Sequence, residues 1–328
     1  MSANEMTPKP AFLQPQDFEK AIRSPDRRLL WDGGMGTALI ARGLRLSDES
    51  PESWLWTHPE QVAEVHRGFA EASACVLQTN TFGLVRLLVG GQLPIDPATG
   101  RPAALGDTVD RAVALALTAA AACGKPAPAL VAAIGPTGQP GIAAERLAAA
   151  YREVATELVR SGVSAIHLET CFDPVELRLA VRAVREVASA LPLLVSLTVT
   201  HGQQGLETPL GVPLFRMLRE LVDDPPALIG ANCSQNADRM RGAVAELAQW
   251  AQSEGRRLPV LARPQLHSGA PDCKRKPMEP SPQRFAEQLV RLFDEGATAV
   301  GGCCGVTAAH LAAVPQAIEG FLSPLTTL

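Results

Sequence analysis

Three of the chain's seven cysteines stand in segments whose composition suits chemistry: Gly230-Ala231-Asn232-Cys233-Ser234 and Gly301-Gly302-Cys303-Cys304-Gly305. Three thiolates with one position left open suit a catalytic zinc ion, because a structural zinc site would close with a fourth protein ligand. Glycines flanking the adjacent pair allow the backbone angles that two neighbouring ligands require. Two other chemistries fit the same residues. Buried cysteines pack as small hydrophobes, and Cys303 with Cys304 would make a redox disulfide. Cys75, Cys123, Cys171 and Cys273 read as core or incidental surface thiols, with Cys171 closest to a strand end. An odd cysteine count that includes an adjacent pair points to a reducing compartment.

Other polar residues close apolar runs. Asp32 before Gly33 and Gly34 fits a turn that binds a substrate amine while backbone N–H groups hold a carboxylate; it equally fits a turn in which Asp bonds its own backbone. Glu169 ends an apolar run and is costly to bury without a cation, either a substrate ammonium or an internal Arg. Asn80 and Thr81 suit a site or a rim cap, and Trp54 and Trp56 would wall a site or pack. The six histidines do not cluster, and no HExxH, GxxxxGK[ST] or GxSxG occurs, which argues against P-loop chemistry and a serine hydrolase.

Elements of alternating type must position these residues. Apolar, often β-branched runs predict strands at Leu29–Trp31, Cys75–Thr79, Leu130–Ile134, Ala165–Leu168, Leu193–Thr198, Leu228–Ala231, Pro259–Ala262 and Ala299–Gly302. Helical patterns follow near 59–73, 106–123, 143–161, 174–190, 213–222, 236–254, 281–296 and 307–321, with Asp173-Pro174 and Ser281-Pro282 as cap-and-N1 pairs. Strands apolar on both faces imply a buried parallel sheet. Eight strand–helix units predict a single (β/α)₈ TIM barrel, whose chemistry belongs at the C-terminal strand ends. In that arrangement only the seventh strand separates Cys233 from the Cys303-Cys304 pair. A doubly wound sheet is the alternative, disfavoured because the Gly33-Gly34-Met35-Gly36 spacing is wrong for a dinucleotide turn.

We expect an N-terminal extension over 1–27 and one barrel domain over 28–328, with Gly90–Pro102 an insertion and Gln265–Pro282 a long loop. The 328 residues are 46% hydrophobic and 20% charged, with a formal net charge of −4. That balance excludes disorder and argues against nucleic acid or an anionic membrane as partner. The apolar run Ala112–Cys123 is too short to span a membrane, and Met1–Pro15 has no signal-peptide pattern. The expected setting is the cytoplasm.

The set Asp32-Gly33-Gly34-Met35-Gly36-Thr37, Gln78-Thr79-Asn80-Thr81-Phe82-Gly83, Glu169-Thr170, Gly230-Ala231-Asn232-Cys233 and Gly301-Gly302-Cys303-Cys304-Gly305 resembles the homocysteine S-methyltransferase family, in the family's order, from about residue 28 to 321. The resemblance is strongest to the homocysteine module of cobalamin-dependent methionine synthase. It implies a (β/α)₈ barrel in which Cys233, Cys303 and Cys304 are zinc ligands and the homocysteine sulfur completes the site. It further implies that Glu169 and the Asp32-Gly33-Gly34 turn hold the amino acid's ammonium and carboxylate groups, with Thr79, Asn80 and Thr170 alongside. The implied reaction moves a methyl group from an activated donor (S-methylmethionine, S-adenosylmethionine or another onium compound) to homocysteine, forming methionine. A corrinoid protein docked at the barrel mouth is the alternative donor. After the seventh strand the chain departs from the family, reading Arg263-Pro264-Gln265-Leu266-His267-Ser268-Gly269 in place of a Pro-Asn-[Ala/Ser]-Gly stretch. A zinc hydrolase and a non-catalytic thiol-binding subunit are the competing functions.

Overall fold

The computed structural model describes residues 12–25, 27–125, 127–203, 205–266 and 280–317. Eight parallel strands, β1 (Leu29–Leu30), β2 (Val76–Gln78), β3 (Ala129–Ile134), β4 (Ala165–Cys171), β5 (Leu193–Leu197), β6 (Leu228–Asn232), β7 (Val260–Arg263) and β8 (Ala299–Val300), pair in sequence order around the sheet. β1 pairs with β8. A parallel bridge between Trp31 and Val76 joins β1 to β2 and closes the ring. The TIM barrel expected from the eight strand–helix units is therefore the fold.

Most expected helices form within a few residues of their expected bounds, from Pro59–Glu71 to Pro282–Asp294. Both proposed caps are made: Asp173 accepts from Val175 N and Glu176 N, and Ser281 accepts from Arg284 N. The last helix is a correction, because Ala308–Ala312 and Val314–Ala317 are separate short pieces. Its expected end at 321 lies outside the described residues, as do His267 and Cys273.

The strand interiors explain where chemistry can occur. Inward-facing Leu29, Ala129, Val131, Ala165, Leu194, Leu228, Leu261 and Ala299 form an apolar floor near the N-terminal strand ends. A helix not expected from the sequence, Pro15–Arg23, covers that floor with Phe18, Ala21 and Ile22. The spacing i, i+3, i+4 puts these three on one helix face, and Pro15 starts the helix where its missing N–H costs nothing. Higher in the barrel the inward residues turn polar: Gln78 Nε2 meets His167 Nδ1 at 3.1 Å, and His167 Nε2 meets Ser196 Oγ at 2.8 Å. Burial lowers the His167 pKa, with the Arg263 charge adding to the effect. His167 is thus a neutral packing residue.

Candidate active site

Cys233 directly follows β6, and Cys303 and Cys304 follow β8 after two glycines. Their sulfurs all lie within 4.8 Å of one another, with Cys233 Sγ and Cys304 Sγ 3.6 Å apart. All three are free thiols, so the disulfide reading is not the state of this structure. Among the described residues, this is the one group of three or more His, Cys, Asp or Glu side chains close enough to share an ion.

The segment after β7 ties the two cysteine segments together. Cys233 N donates to Arg263 O at 3.1 Å, Cys303 N to Pro264 O at 2.9 Å, and Leu266 N to Cys304 O at 2.9 Å. Asn232 adds a side-chain brace. Its Oδ1 accepts from Thr170 N, and its Nδ2 donates to Thr170 Oγ1 at 2.8 Å and to Cys303 Sγ at 3.7 Å. Thr170, Cys233 and Ser234 all have left-handed backbone, with φ of 65, 59 and 53°. Such strain costs on the order of 1–3 kcal/mol per residue and persists only where surrounding bonds enforce it. Gly34 is required for close approach: a Cβ there would stand 2.7 Å from Cys303 O.

The trio favours a single negative charge. Hydrogen bonds from Cys303 and Cys304 hold the Cys233 thiol well below the usual thiol range. The other two are pushed up, chiefly by their hydrogen bonds with Cys233, because one negative charge among adjoining sulfurs opposes a second. A bound divalent ion reverses that opposition by deprotonating its thiol ligands. The donor set therefore fits a soft, thiolate-binding metal.

Beside the trio lies a buried ionic cluster. Arg263, at the end of β7 and 3% exposed, donates from Nη2 to Asp32 Oδ1 at 2.9 Å and from Nη1 to Glu169 Oε1 at 2.7 Å. Its Nε donates to Gly302 O at 3.0 Å, and Nη2 also reaches Gly33 O at 3.3 Å. The remaining carboxylate oxygens are taken by Gln78, whose backbone N donates to Asp32 Oδ2 at 2.6 Å and whose Nε2 donates to Glu169 Oε2 at 3.2 Å. Burial pushes the Asp32 pKa up to about 7 against the opposing pull of Arg263. Glu169 is raised for the same reason. Of the two partners considered for Glu169 from the sequence, the internal arginine is present.

The other expected residues are placed as follows. Gly33 and Gly34 lead from Asp32 into the helix Met35–Ile40, beside the cysteine pair. Thr79 Oγ1 meets Thr81 Oγ1 at 2.5 Å and accepts from Ala133 N, while Asn80 Nδ2 donates to Pro51 O at 2.8 Å. These two bind neighbouring loops and strands together at the rim. Trp54 is buried, and Trp56 Nε1 donates to Thr108 Oγ1, so both pack. Cys171 is buried outside the trio. Asn232, Gln78 and Arg263 were not among the expected site residues. Arg263 carried the same signal that singled out Glu169, a charge ending an apolar strand, and the opposite signs could have been paired.

Fold and site together define a class: a (β/α)₈ barrel with three cysteine sulfurs close enough to share an ion at the C-terminal ends of its strands. The homocysteine S-methyltransferase family model matches residues 29–318, and the chain belongs to that family. It is 30% identical over 317 residues to the methionine synthase of Mycobacterium tuberculosis, covering 91% of this chain and 25% of that one. It is also 30% identical over 309 residues to the methionine synthase of Mycobacterium leprae, covering 89% and 24%. The chain thus spans about a quarter of the length of these relatives. Among solved structures, the oxidized form of the homocysteine methyltransferase MmuM from Escherichia coli matches with a TM-score of 0.71 at 22% identity, covering 90% of this chain and 98% of that one. Its metallated form matches at 0.68, also at 22% identity. These two likenesses bear on the fold.

Proposed function

We propose that this protein is a zinc-dependent methyltransferase that carries a methyl group from a sulfonium or other onium donor to the thiolate of L-homocysteine, forming methionine. The observation that carries this reading is the convergence of Cys233, Cys303 and Cys304 within 4.8 Å beside the buried Asp32–Arg263–Glu169 cluster at the strand ends. Zinc held by these three sulfurs would acidify an incoming thiol, and the thiolate is the nucleophilic form. With the thiol proton released to water, the thiolate sulfur would attack the methyl carbon in line; the new S–C bond would form as the bond from that carbon to the donor's onium atom breaks, and that bonding pair would stay on the onium atom. No protein base is needed in this step.

The chain's own residues position the reactants and limit water. Asn232 orients Cys303 through its amide, and the Arg263–Leu266 segment holds the spacing of the trio. Asp32, Gly33, Gly34, Glu169 and Arg263 line the head-group end of the acceptor pocket, with Thr79, Asn80 and Thr170 supporting its walls. We read residues 28–328 as one homocysteine-binding barrel domain, preceded by an extension over 1–27 whose helix covers the barrel floor. The absence of any helix among the described residues long and apolar enough to cross a membrane, together with free cysteines, supports a cytoplasmic setting. A second reading is favoured by the likeness to two methionine synthases: the chain would activate homocysteine for a methylcorrinoid donor.

The test is methionine formation by the zinc-loaded protein with homocysteine and, in separate reactions, S-methylmethionine, S-adenosylmethionine and methylcobalamin. Turnover with a sulfonium donor is expected; turnover with methylcobalamin alone would select the second reading. Cys304→Ala should lower bound zinc and abolish methionine formation. Full activity in that variant would overturn the thiolate mechanism.

A further inference from the structure

Arg263 changes what the acceptor pocket asks of its ligand. We propose that Arg263 is a built-in counter-cation for Asp32 and Glu169, so that the acceptor class extends to ω-mercapto acids lacking an α-ammonium group. This inference rests on the reading of the trio as an acceptor-thiol site.

A buried carboxylate pair without a cation would demand one from the ligand. Here each of the four carboxylate oxygens already has a protein donor. Arg263 serves Asp32 Oδ1 and Glu169 Oε1, and Gln78 serves Asp32 Oδ2 and Glu169 Oε2. The guanidinium is fixed by the fold, since it also donates to Gly302 O and Gly33 O and is nearly enclosed. Its rigid planar fork of donors serves both carboxylates from one fixed position. Asp32, Glu169 and Arg263 together keep one net negative charge when fully ionised. Burial holds the Asp32 carboxyl near pH 7, so a proton can neutralise that remainder without any ligand ammonium. A substrate ammonium entering this cluster adds a further donor to oxygens already bonded, and its removal leaves no carboxylate unpaired.

The experiment is calorimetric titration of the zinc-loaded full chain with L-homocysteine and with 4-mercaptobutanoate, which is homocysteine without its amino group. The expected result is two affinities within about tenfold of each other. Binding of homocysteine with 4-mercaptobutanoate more than about tenfold weaker, or silent, overturns the inference and leaves the homocysteine reading standing. Binding of 4-mercaptobutanoate alone upholds the inference and overturns homocysteine as acceptor. Silence with both overturns the two together. In Arg263→Met, checked for folding by circular dichroism and for zinc content, the preference for homocysteine should rise by at least about tenfold, because Asp32 Oδ1 and Glu169 Oε1 then lack their cationic donor. An unchanged ratio in the folded variant overturns the inference.

Discussion

Buried charge and buried imidazole are handled differently in this barrel. Arg263 is bonded to both Asp32 and Glu169. His66 has neither ring nitrogen hydrogen-bonded and is fully buried on the inner face of the helix Pro59–Glu71. Desolvation lowers the His66 pKa from 6.5 to about 4. Between those values the unfolded chain takes a proton that the folded chain refuses, so stability is fully present above 6.5 and falls as pH drops towards 4. Between pH 7 and 5 the loss from this residue comes to roughly 2 kcal/mol. His66→Leu should remove that part of the slope in urea titrations at the two pH values, and equal slopes in variant and wild type would contradict it. At this scale the sequence was readable for placement: the strand ends bring Cys233, Cys303 and Cys304 together, and Glu169 has a cationic partner. It was less readable where the role depends on a distant partner: Arg263 lies 231 positions from Asp32, and no local pattern announces that pair.

Among the elements, periodicity revealed the eight strands and most of the helices, because parallel strands buried on both faces read as short apolar runs. It missed the short pieces. The helix Pro15–Arg23 has only three residues on its buried face, and the helix Met35–Ile40 spans six residues, too few for a period to emerge. The antiparallel pair Thr200–Gly202 with Gly205–Glu207 is similarly brief. The first of these helices has a structural consequence. Phe18 is wholly enclosed against the floor residues, and truncating an enclosed Phe removes its burial and leaves a cavity. Phe18→Ala should lower the unfolding free energy by about 3 kcal/mol in urea denaturation of the whole chain. A loss below about 1 kcal/mol would mean that the helix does not seal the floor.

For the molecule as a whole, the closed ring brings residues far apart in sequence to one mouth. Asp32 leaves β1, Gln78 belongs to β2, Glu169 to β4, Cys233 follows β6, Arg263 ends β7 and the cysteine pair follows β8. Strand order alone placed Cys233 near Cys303 and Cys304, since β7 pairs with both β6 and β8. It could not indicate that the Arg263 side chain on β7 would reach Asp32 beyond β1 and Glu169 on β4. The same closure leaves an apolar floor beneath a polar mouth, which confines the chemistry to one end of the barrel. We propose that this mouth holds zinc on three protein sulfurs and takes the acceptor's sulfur as the fourth ligand. Zinc X-ray absorption of the loaded protein, with and without homocysteine, tests it most directly. Three sulfur neighbours at about 2.3 Å are expected, rising to four when the thiol is added; a sulfur count that stays unchanged, or a zinc ion bound mainly by nitrogen and oxygen, would overturn the proposal.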